Sequence, residues 1–87
     1  MGRGIGMSAT YYVALPFLRT EDGIASGQAQ EMPSAAAAVR RAELMSRDPL
    51  IAGALAFRRS GDPNLGDFGE PTILKAFGEV PKSLDEL

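Results

Sequence analysis

The spacing of apolar residues changes period along this chain, and each change predicts an element. Thr10–Arg19 (TYYVALPFLR) is dense in aromatic and branched residues and reads as a strand. Glu21-Asp22-Gly23 then signals a turn, because glycine accepts positive φ. Pro16 lacks an amide proton, which predicts a kink, a bulge or an outward place on the ladder. Ile24–Gln30 (IASGQAQ), polar at alternate positions and weakened by Gly27, predicts a second strand pairing back on the first. From Ser34 the period becomes helical. A hydroxyl at the N-cap precedes AAAAVRRAELM, with Ala35, Ala38, Val39, Ala42 and Met45 on one face and Arg40, Glu43 and Arg47 on the other. Asp48-Pro49 stops the helix, since a residue before proline is pushed out of the α region. Ile51–Arg59 (IAGALAFRR) reads as a largely buried strand, and Ser60–Pro71 as a long connection rich in Gly, Pro, Asn and Asp. Thr72–Gly78 (TILKAFG) is the last strand, with Ile73 and Phe77 expected on one side and Leu74 and Ala76 on the other.

These elements predict an α+β fold: a small three- to four-stranded sheet with one helix packed on one face, in the order β-β-α-β-β, or β-α-β-β if the second strand fails. A chain of 87 residues has room for one domain and is near the lower limit for a core without staples. Residues 10–81 are expected to form it. Residues 1–9, with Gly2, Gly4 and Gly6, are read as a flexible leader in which Met7 is an alternative start, and 82–87 as a loose tail. Without cysteine there is no disulfide framework, so the core rests on packing or on a partner subunit. The longest apolar runs are far short of the roughly 20 residues that cross a bilayer, and no secretory signal is visible. A cytoplasmic location is the expectation.

Width predicts an incomplete cover. A helix is about 10 Å across, whereas four strands about 4.8 Å apart span nearly twice that. The first strand is apolar on both sides, with Tyr11, Val13, Leu15 and Phe17 on one and Tyr12, Ala14 and Leu18 on the other. One face is therefore expected to meet a second copy or a protein partner, with Tyr12, Ala14 and Leu18 as the candidate surface; the alternative is that the tail or the long loop folds over it.

Candidate chemistry narrows the classes further. With neither His nor Cys, the chain has no Ser-His-Asp triad, Cys-His pair or zinc finger. It has no Ser-x-x-Lys arrangement, and neither Lys75 nor Lys82 follows a glycine as a phosphate-binding loop requires. Asp62, Asn64, Asp67 and Glu70 superficially resemble a calcium loop, but Gly66 falls where a ligand oxygen is needed and Asp67 where glycine is needed; turn formation accounts for them. No enzyme, cofactor or metal is expected. Arg40, Arg41, Arg58 and Arg59 form an alternative basic patch for nucleic acid, with Tyr11 or Tyr12 stacking on bases. Against it, the chain has net charge −2 and pI near 5.0, and Arg40, Glu43 and Arg47 have the spacing of a solvated helix face. Phe77-Gly78-Glu79-Val80-Pro81 has the form of a docking peptide, or more simply of a strand end followed by a turn.

The TYYVALPFLRTEDG start, the alanine-rich helix and the GDPNLGDFGEPTILKAFGEVP end together resemble small bacterial proteins whose families carry no assigned activity. That resemblance implies no catalytic residue. The expected function is a non-catalytic protein-binding or assembly module, self-associating or joining another protein, with nucleic-acid binding as the alternative.

Overall fold

Ser34 begins the helix as its position predicts: its Oγ accepts the Ala37 amide at 3.1 Å, in the arrangement of an N-cap. The structure, a computed structural model, describes residues 9–62 and 67–81. In chain order the elements are β1 (Ala9–Thr20), β2 (Gly23–Ser26), β3 (Gln30–Met32), α1 (Ala35–Ser46), β4 (Ile51–Asp62), β5 (Asp67–Phe68) and β6 (Thr72–Gly78). All strand pairs are antiparallel. The long strands β1 and β4 lie side by side at the centre; β2 and β3 occupy successive stretches of the outer side of β1, and β5 and β6 those of β4. The expected α+β sheet-plus-helix is therefore what forms, with six strand segments filling four positions across.

The two extra strands have local causes. Pro16 accepts the Gly27 amide at 2.8 Å, so its backbone polar groups face the outer edge, and the amide it lacks is missing from that ladder rather than from the β1–β4 ladder. There the edge strand breaks. Gly27, Gln28 and Ala29 span what Leu15 and Pro16 span on β1, so the edge carries one residue more and resumes as β3 in a shifted register. The expected long connection contracts in the same way, because β4 runs on through Asp62 and pairs with β5 through Gly61↔Phe68 and Asp62↔Asp67. Residues 63–66, the expected leader short of Ala9 and the expected tail at 82–87 lie outside the described residues.

The β1–β4 register sorts side chains by size. One face carries Ala14, Ala54 and Ala56, fully buried against Ala38 and Ala42 of α1, with Tyr12, Met32, Val39, Met45, Leu74 and Phe77 around them. Small residues on both surfaces let the helix approach the sheet closely. The other face gathers the bulk: Leu15, Phe17, Leu55 and Phe57 are buried, flanked by Val13, Ile24 and Val80. The segment after β6 lies over this face. A Cβ on Gly53 would stand 2.2 Å from the Glu79 carbonyl oxygen and 2.6 Å from its nitrogen, so only glycine admits the crossing. Gly78 makes the bend at φ +70, and the Glu79 amide donates to the Ala52 carbonyl at 3.0 Å. Glu79 and Val80, just after β6, thus lie over this face, and Val80 reaches the cluster.

Two substitutions test these assignments by urea unfolding. Ser34→Ala is expected to cost about 1 kcal/mol through the lost cap, and Phe17→Ala about 3–5 kcal/mol through the cavity left in the larger cluster. Gly53→Ala is expected to cost about 1–3 kcal/mol or more and to expose Val80, read as loss of amide protection at Glu79 in hydrogen exchange.

Candidate functional site

The sequence-expected surface and the observed one differ. Ala14 lies beneath α1 with no exposed surface and Tyr12 is half-buried beside it, so the helix already occupies the face proposed for a partner; of the three residues only Leu18, 40% exposed, remains accessible. The reason is size. Ala14 is opposite Ala56 and Pro16 opposite Ala54, which makes this the face a helix can approach, while the bulkier Leu15 and Phe17 turn away.

The alternative patch does not come together either. Tyr12 is paired with Arg58 and Tyr11 with Arg59, so the two arginines project from opposite faces of the sheet. Arg59 Nε donates to the Gly69 carbonyl at 3.0 Å and Arg41 Nε to Gln30 Oε1 at 2.9 Å, which fastens one to the stretch before β6 and the other to β3. Arg40, on the crest of the helix, borders a groove on the β6 side and, with Arg41, a smaller one on the β3 side. Among the described residues no group of acidic side chains is placed to hold a metal ion, and no helix is long and apolar enough to cross a membrane.

A different place emerges at the β6 side of the molecule. The expectation for Thr72–Gly78 was strict alternation, with Leu74 and Ala76 sharing a face. Instead the register shifts between Ala56 and Phe57: Ala56 faces Lys75 and Phe57 faces Ile73, so Leu74 is an extra residue. This bulge resets the alternation. Leu74 and Phe77 both pack toward the alanine cluster under the helix, while Ala76, opposite Leu55, and Ile73, opposite Phe57, belong to the other face. Lys75 lies with its Nζ 5.5 Å from the centre of the Phe77 ring, so the one charge on this strand is drawn along it.

Backbone direction at this edge follows from Pro16. Its polar groups face away from β4; Ala54, opposite it, must therefore direct its own toward β6, where Phe77 is its partner. Alternation then turns the amide and carbonyl of Ala76 outward, to the side where no strand follows among the described residues. Directly above, Ala35, Ala36, Val39, Arg40 and Glu43 of α1 and Leu74 of β6 line an open groove of about 510 Å³, apolar at its floor and charged at its rim. Two smaller grooves lie elsewhere, one along Met32, Ala37 and Leu44 on the β3 side of the helix and one between Ile24 and Val80. Neither has an unpaired strand edge of comparable length beside it: β2 and β3 are four and three residues, and β6 is seven.

Sequence reasoning missed this site because Leu74 looks like one more alternating position. The signal that bears on it is Pro16, whose missing amide sets which residues across three strands turn their hydrogen-bonding groups outward. No protein-family model, curated protein or solved structure matches this chain.

Proposed function

We propose that this chain is a non-catalytic association module that binds another polypeptide by strand addition to β6. The observation that carries the reading is the coincidence of two features: an outward-facing strand edge seven residues long and an apolar groove immediately beside it, between that strand and α1. An added strand satisfies main-chain donors and acceptors through the edge, and its alternate side chains fall into the groove, so affinity and selectivity arise from different parts of one surface. Natural proteins usually blunt such edges with charge, proline or short length. Here the one lysine within the strand, Lys75, is laid over Phe77, and Pro71 stands before the strand rather than within it. The arginine reading has no comparable support, since the four residues are dispersed over two faces and two of them are engaged within the fold.

Ala76→Pro removes the outward donor while leaving the inward ladder to β4 intact, and Ile73→Pro, whose position also turns outward, serves as a second variant if the first unfolds. Tagged protein incubated in native cell extract is expected to retain a polypeptide, itself or another, that neither proline variant retains although at least one keeps the wild-type circular dichroism. Identical retention by wild type and folded variants would overturn the edge as the binding surface.

A further inference from the structure

Resting on that reading, we infer that the polypeptide added to β6 is the β6 of a second copy of this chain, related by a twofold axis through Ala76. A twofold axis makes every contact reciprocal, so the test of self-fit is whether the groups on this surface complement themselves. Three observations say that they do.

The first is backbone register. An antiparallel pair centred on a residue with outward polar groups lets both copies exchange N–H and C=O bonds there, and Ala76 is such a residue. With Ala76 opposite its counterpart, Lys75 of one copy comes opposite Phe77 of the other, and the two lysines are not directly opposed. The ammonium that already stands 5.5 Å from one Phe77 ring then has a second aromatic face across the seam.

The second is spacing. α1 bears on Ala14 of β1, on Ala54 and Ala56 of β4, and on Leu74 and Phe77 of β6, which centres it over β4. Joining two sheets through β6 puts three strand spacings between one β4 and the other, about 14 Å, against a helix diameter of about 10 Å. The two helices then stand on the same face of one continuous sheet, separated by roughly a layer of side chains, and each fills the groove left open by the other. A single helix is too narrow for its sheet; two in this arrangement cover the seam.

The third is charge. Glu43 stands on the rim of that groove, and Arg40, on the crest of α1, borders both it and the groove on the β3 side, so its side chain is free to reach across to the second helix. Under the twofold, Arg40 of each copy meets Glu43 of the other, giving two opposite-charge pairs from one sequence. Among the described residues the Glu43 carboxylate pairs with the exposed Arg47, at 3.4 Å, a pair weak enough to be exchanged.

The test is solution mass by light scattering behind a sizing column, at two concentrations about tenfold apart, for wild type, Arg40→Glu, Glu43→Lys and the double swap. Both side chains are exposed, so all four proteins are expected to fold alike by circular dichroism. Wild type is expected to approach twice the monomer mass at the higher concentration, each single swap to weaken association by roughly tenfold, and the double swap to restore it. A monomer at both concentrations overturns the inference, as does a dimer in which the double swap associates no better than either single one. Ala76→Pro separates the two levels: a dimer that it abolishes but that ignores the charge swaps overturns the twofold arrangement and keeps the edge, whereas a dimer indifferent to Ala76→Pro overturns the edge as well.

Discussion

The antiparallel pairing of β1 with β4 is the constraint from which the rest of this molecule follows. Both strands run twelve residues, and their register joins Ala14 to Ala56 and Pro16 to Ala54 on one side, Leu15 to Leu55 and Val13 to Phe57 on the other. A strand alternates its side chains between faces, so a slip of one residue would mix the small and the large and leave neither face able to pack. In the observed register each face has a single character. The alanine face accepts a helix that is itself faced with alanine, and the bulky face closes against Ile24 and Val80.

That division explains how so short a chain supports both sides of a sheet. Alanine contacts remove little apolar area from water, so the helix side contributes through close approach more than through burial. The larger share of hydrophobic burial lies with Phe17, Leu55, Leu15 and Phe57, on the face opposite α1. Their cover depends on two glycines: Gly78 turns the chain at positive φ and Gly53 leaves space for it to cross. The end of β6 is thereby committed to one face, while its outer edge remains open beside the groove under Arg40 and Glu43. Under the proposed reading, stability and association occupy different sides of the same strand.

Much of the fold was legible in the sequence because its signals are local. Ser34 and Asp48-Pro49 bound the helix by capping and by proline sterics, and Ala38, Ala42, Val39 and Met45 declare its inner face by spacing. The Asp48 carboxylate accepts the Leu50 amide at 2.9 Å, closing the turn that proline begins. The site was far less legible. Tyr12 and Ala14 were read as a face in want of a partner, yet the partner is α1, and the reason is cross-strand: only the residues opposite them show that this face is flat and small. The four arginines likewise look contiguous in sequence and separate because neighbours in a strand point apart.

Sequence alone determined, then, the class of fold, the helix from Ala35 to Ser46 and its limits, and the absence of residue types on which most small catalytic and metal sites depend. Each rests on interactions within a few residues or on composition, which chain order states directly. Tertiary structure alone decided which sheet face the helix takes, where Leu74 points and which amides turn outward at β6. Those depend on register between strand residues from 14 to 52 positions apart, on a bulge that adds one residue to β6 opposite the step from Ala56 to Phe57, and on the missing amide of Pro16, felt across β4 as far as Ala76. A local pattern cannot encode such a count, because it is settled only when the two long strands are laid side by side.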